Sequence, residues 1–188
     1  MSDVDLAPQS PEHVQRHPWG KVPAFRTSDG FTLYESRPIC NYLAARFHSP
    51  LAPSVTDLQA RALFDQAQSV EMCYFTHDAD LLMFEIAVKP AFMPGVPADA
   101  DVVAGARKRL EAAFDVLGTI LDRQIFVAGD TFSLVDIFHL PSVKRLMDCG
   151  FGGLVLDRAS VHAWWQRCLE IPAIARYLND EMVVLPPK

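Results

Sequence analysis

Residues 20–43 read GKVPAFRTSDGFTLYESRPICNYL, and their reading decides the fold of the first part of the chain. Residues 24–27 and 31–34 are short runs of strand character, and Ser28-Asp29-Gly30 between them supplies hairpin chemistry. A helix then starts at Ser36, with Ile39, Leu43 and Phe47 spaced four apart on one face. Upstream, Ser10-Pro11-Glu12 opens a short helix: Ser as cap, Pro at the first helical position, Glu in the first turn. His17-Pro18-Trp19-Gly20 is a turn cluster. Ser49-Pro50-Leu51-Ala52-Pro53 interrupts the pattern and marks a domain boundary.

Everything beyond that boundary reads as helix. Residues 57–90 form one long or broken helix. Residues 99–122 are strongly amphipathic, with Val103, Ala106, Leu110, Ala113, Phe114, Leu117, Ile120 and Leu121 at helical spacing. Further helices are expected over residues 133–149, 160–169 and 172–178. The start at Phe132-Ser133-Leu134-Val135-Asp136-Ile137 is sharp. Ser133 caps, Asp136 reaches back to the cap's own amide, and Phe132 and Ile137 occupy the positions of a hydrophobic staple. This pattern is a folding device rather than a site. The expected class is α+β with two domains, residues 1–50 and residues 56–188, the second all-helical.

Composition narrows the function classes. Half of the 188 residues are hydrophobic, with 14 Pro and 9 Gly, which is globular rather than disordered composition. A chain of this size buries roughly 70% of its unfolded surface and needs no covalent staple. Seventeen basic and 23 acidic residues give a formal charge of −6, and no Lys/Arg run offers a nucleic-acid track. Cys40, Cys73, Cys149 and Cys168 lie far apart, with no Cys-x-x-Cys pair and no zinc spacing, so free thiols in a reducing compartment are expected. No signal-peptide h-region opens the sequence and no apolar run reaches membrane-spanning length. A cytosolic protein with no metal is the expectation.

The residues around the hairpin have the chemistry of a binding site. A helix beginning at Ser36 offers free backbone amides and a partial positive charge, so a carboxylate suits the Ser36 amide and hydroxyl. Glu35, one residue earlier, suits an ammonium. Together they match the end group of an α-amino acid, although a plain helix cap preceded by a surface acid accounts for the same residues. A cis bond before Pro23 would turn Val22 so that its amide and carbonyl pair with a peptide ligand as one added strand. Lys21 is adjacent and suits a second carboxylate. Glutathione combines these features: a γ-linked amino-acid head, a peptide middle and a terminal carboxylate.

HPWGKVPAF followed by LYESRPICNYLAARF resembles the glutathione-binding half of cytosolic glutathione transferases, above all the phi-type pattern Asn-Pro-Phe-Gly-x-Val-Pro with Glu-Ser-Arg-Ala-Ile-x-x-Tyr-Leu. FVAGDTFSLVDIFHLP resembles the capping-box region of the same family's helical domain. The resemblance covers essentially the whole chain. It implies a thioredoxin-like domain followed by an all-α domain, with Val22 on the glutathione backbone beside a cis Pro23. It also implies Glu35 and Ser36 on the γ-glutamyl end and Lys21 near the glycyl carboxylate. Arg37 takes a structural or dimer-contact role. Glutathione is then a co-substrate, no other cofactor is implied, and the partners are a small electrophile and a second copy of the chain.

Two departures accompany the resemblance. His17 stands where the pattern has Asn. Val4-Asp5-Leu6 aligns with the end of the domain's second strand, so the first strand, the first helix and the loop with the family's catalytic Ser, Tyr or Cys have no counterpart. The expectation is a truncated thioredoxin-like domain with no residue at the catalytic position and an open edge at residues 24–27. Tyr34 reads as a packed side chain and Cys40 as a buried neighbour rather than as substitutes. The implied activity is conjugation of the glutathione thiolate to electrophiles. The alternative is a non-enzymatic relative that uses the fold for binding or assembly. The electrophile's pocket is expected between the domains, lined from the helix bearing Met72, Tyr74 and Phe75.

Overall fold

The computed structural model describes residues 10–179; Val4, Asp5 and Leu6, which the resemblance aligns with the end of a strand, lie outside the described residues. The chain divides into two compact units, Met1–Thr56 and Asp57–Lys188.

In the first unit, α1 spans Pro11–Arg16, and the Ser10 side chain accepts from the His13 amide at 3.1 Å. Strands β1 (Ala24–Arg26) and β2 (Thr32–Tyr34) pair antiparallel, with Ala24 opposite Tyr34 and Arg26 opposite Thr32. Among the described residues they are the whole sheet. The turn closes through Gly30 N–H to Thr27 O at 3.0 Å, and Gly30 adopts φ 92°, a conformation that glycine takes without a Cβ clash. Helix α2 is Ser36–Arg46. Ile39 and Ala44 are its buried residues. Phe47 is not on that face: it caps the helix and is 71% exposed. The period of four ends with the helix itself, because the backbone at Phe47 (φ −102°, ψ 11°) has left the helical track.

The second unit is helical throughout. Helix α3 (Leu58–Glu71) is capped by Asp57, whose carboxylate accepts from Ala60 N at 3.0 Å. It runs through a π-helical turn, Met72–Thr76, into α4 (His77–Met83), then through a second π turn, Phe84–Val88, into α5 (Lys89–Phe92). The long helix expected over residues 57–90 is therefore continuous in path but twice loosened. At the first loosening the buried Glu71 carboxylate accepts from the Thr76 hydroxyl. Helix α6 (Ala100–Leu121) buries Ala106, Leu110, Phe114, Leu117 and Leu121, the stripe its spacing requires. Helices α7 (Leu134–Leu146), α8 (Gly153–Leu156), α9 (Ala159–Leu169) and α10 (Pro172–Asn179) complete the unit.

Its core joins α4, α6, α7 and α9 around Leu82, Leu110, Phe114, Leu140 and Trp164. Burying side chains of this size stabilises by roughly 1.5–3 kcal/mol each. Rings interlock there: Phe75 meets Phe114 edge-on at 5.4 Å and His139 at 4.9 Å. The start of α7 forms the capping box that the sequence predicts. Asp136 does more than cap. It is 0% exposed; one oxygen accepts from Ser133 N (2.8 Å) and Ser133 Oγ (3.0 Å). The other accepts from Val127 N and Trp164 Nε1, both at 2.9 Å. Phe132 rests against Phe126, ring to ring at 5.6 Å. No described helix is long and apolar enough to cross a membrane.

Candidate functional site

The hairpin register determines which residues meet. Because Ala24 pairs with Tyr34, the chain that enters β1 (Lys21, Val22, Pro23) and the chain that leaves β2 (Glu35, Ser36) emerge at the same end of the ladder, where paired strands lie about 5 Å apart. The five residues that the sequence singles out are thereby gathered at one edge of the first unit.

The Val22–Pro23 bond is cis. Val22 is exposed, and no hydrogen bond among the described residues occupies its amide or carbonyl. Lys21 is exposed; its carbonyl accepts from His13 Nε2 at 2.7 Å, which ties the approach to β1 onto α1. Glu35 adopts φ 70° and ψ 131° as the residue before α2. A positive φ in a residue with a Cβ costs about 1–3 kcal/mol and recurs where the local geometry serves a ligand. Among the described residues no side chain caps α2, and its start carries the partial positive charge of a helix N-terminus.

Tyr34 is half-exposed rather than packed away, with one face against the His17 ring at 4.7 Å. Burial pushes the Cys40 thiol up from its ordinary value, and the nearby Arg37 charge only partly offsets this. A thiol held in its neutral form is a poor nucleophile. Cys40 therefore lacks the surroundings of a catalytic group. His17, which the sequence marks only as a departure from the Asn of the pattern, is 1% exposed, with Nε2 3.8 Å from Glu35 Oε1. Nothing local signals this, because its burial depends on α1 and β2 closing over it.

The helical unit contains a cavity of about 760 Å³ by itself, lined mainly by apolar side chains including Leu63, Val70, Tyr74, Phe75, Val116 and Ile120. Asp78 and Arg109 stand at its wall, paired at 2.8 Å. The hydrogen bond and charge of Asp78 push the Arg109 guanidinium up further from its ordinary value. Of the three aromatic or sulfur residues expected to line a substrate pocket, Phe75 is core, while Met72 and Tyr74 are exposed. Tyr74 and Phe75 line this cavity. Among the described residues no group of His, Cys, Asp and Glu side chains could hold a metal ion.

Comparison with known proteins covers both units. Residues 2–45 match the family "Glutathione S-transferase, N-terminal domain" and residues 79–172 match "Glutathione S-transferase, C-terminal domain". Glutathione S-transferase hmp2 of Hypomyces subiculosus is 37% identical over 168 residues, covering 88% of this chain and 78% of its own. Glutathione S-transferase F12 of Arabidopsis thaliana is 32% identical over 174 residues, covering 91% and 80%. Among solved structures, maize glutathione S-transferase I in complex with an atrazine–glutathione conjugate superposes with a TM-score of 0.82 at 30% identity, covering 91% of this chain and 78% of that one. Glutathione transferase F2 of Populus trichocarpa gives 0.80 at 28% identity, covering 90% and 79%. With both family domains in order along the sequence and relatives of this kind across most of its length, the chain belongs to the glutathione transferase family, in its phi-like branch.

Proposed function

We propose that the protein binds glutathione at the open end of its hairpin and transfers the glutathione sulfur to small electrophiles. The observation that carries this reading is the junction of β2 and α2. Glu35 stands at φ 70° directly before a helix start at Ser36 that no described side chain caps, on the same hairpin end as the exposed Val22. In this reading Glu35 receives the γ-glutamyl ammonium and the Ser36 amide and hydroxyl receive its carboxylate. The Val22 amide and carbonyl pair with the cysteinyl backbone, and Lys21 faces the glycyl carboxylate.

The chemistry is displacement or addition by sulfur. The thiol gives its proton to solvent or base, the C–S bond forms, and an activated aryl halide would lose halide with its electron pair. A free thiol has a pKa of about 8.5, so a group that stabilises the thiolate sets the rate. Tyr34 and Cys40 are not assigned that role. The alternative of a purely binding or assembling relative is not favoured, since the matched relatives and ligand-bound neighbours are named as transferases. The test is formation of the glutathione thioether from an activated aryl halide, followed by absorbance, with wild type and Glu35→Ala compared at subsaturating glutathione. Equal rates for the two would overturn the site assignment.

The protein is further proposed to be cytosolic and to act as a homodimer. Trp19 is 76% exposed on the turn before β1, and Phe47 is exposed at the end of α2. An indole of that exposure in one copy suits the apolar cavity of the helical unit in another. The dimer reading is tested by light scattering.

A further inference from the structure

His17 is held at both ends of its backbone: its amide donates to His13 O and its carbonyl accepts from Gly20 N, each at 2.8 Å. Its ring lies between the Tyr34 ring at 4.7 Å and the His13 ring at 6.2 Å. Yet both ring nitrogens are buried with no hydrogen-bond partner among the described residues. Buried polar groups almost always have a partner, so this vacancy needs a reason. The facing group is the Glu35 carboxylate, 3.8 Å from Nε2, about 0.9 Å beyond an ordinary N–H···O bond. The Glu35 side chain is 59% exposed, so the carboxylate is the mobile partner of the two.

Resting on the assignment of Glu35 to the γ-glutamyl amine, we propose that His17 is a positioning residue for Glu35, whose Nε2–H takes one carboxylate oxygen and leaves the other turned toward an incoming ammonium. While the site is open, water solvates the exposed carboxylate. When an ammonium closes over it, water leaves, and the buried imidazole supplies the donor that water had provided. His17 thereby favours ligands that carry an ammonium at this end over those that lack one. Asn, shorter than His, would have to reach the carboxylate differently, so the departure from the family pattern matters for this step.

The experiment compares affinities of the 188-residue chain for glutathione and for its des-amino analogue, in which hydrogen replaces the γ-glutamyl amine. His17→Phe keeps a packed ring without a donor; His17→Gln keeps a donor. We expect His17→Phe to lose about tenfold in affinity for glutathione and less than about twofold for the analogue, with His17→Gln retaining most of the discrimination. Equal losses for both ligands, or no loss for either, would overturn the proposal, because a packing role does not distinguish them. A second readout leaves His17 intact: Glu35→Gln should displace the ring-nitrogen NMR signals of His17, and unchanged signals refute the coupling even if His17→Phe does not fold. Failure of the wild type to bind glutathione at all would instead refute the Glu35 assignment, while the NMR comparison still decides the coupling.

Discussion

Replacing Asp136 by Ala should be the most damaging single change of a polar residue in the helical unit. The carboxylate is wholly buried and accepts from Val127 N, Ser133 N, Ser133 Oγ and Trp164 Nε1. Ala removes every acceptor at once. The Ser133 hydroxyl can rotate to another partner, but two backbone N–H groups and an indole N–H are left buried and unpaired. Each costs about 1–3 kcal/mol, and part of the sum is returned because a carboxylate no longer has to be desolvated; the expected net loss is about 3–5 kcal/mol. Urea melts followed by circular dichroism measure it. Asp136→Asn keeps one acceptor for Val127 and Trp164 but turns an amide toward the Ser133 N–H, so it should lose about half as much. A loss below about 1 kcal/mol for Asp136→Ala would refute the reasoning, since that is the cost of a helix cap alone.

Other consequences are independent of that network. Ser133→Ala should lower stability by only about 1 kcal/mol, the usual loss for a cap; no change in the melting midpoint would contradict the capping role. Trp19→Ala should convert a dimer to a monomer in light scattering at micromolar concentration, and a wild type that is already monomeric would contradict the proposed pairing. Burial pushes the Cys168 thiol up to about 12. The unfolded state therefore loses this proton first as pH rises past the ordinary thiol value of about 8.5, and stability should fall from there until the folded thiol itself titrates, at about 12. The fall should be smaller in Cys168→Ala, and an equal fall would argue against it. In the native state a thiol reagent should reach the exposed Cys73 first and Cys168 only after unfolding.

The sequence is most legible where the signal is local. Ser10 and Ser133 announce their helices because a cap, its neighbouring Pro or acid, and the apolar period lie within a few residues. The apolar stripe of α6 is equally plain. The π turns at Met72–Thr76 and Phe84–Val88 are not, since they contain neither Gly nor Pro to mark a change of helical pitch. Phe47 misleads for a related reason: the period of four persists one residue beyond the helix that would give it meaning. At the site, Glu35 and Ser36 can be singled out from residue type and helix position. The burial of His17 against Glu35, and the reach of Asp136 to Trp164 across 28 residues, cannot, because both contacts exist only after distant segments pack.

Calorimetric titration of glutathione into wild type and Glu35→Ala tests the central claim most directly. The account predicts saturable binding of one glutathione per chain, weakened about tenfold or more by the substitution, the loss expected when an ammonium gives up a charged hydrogen-bond partner. Binding of equal strength in the two proteins, or no binding by the wild type, would contradict it.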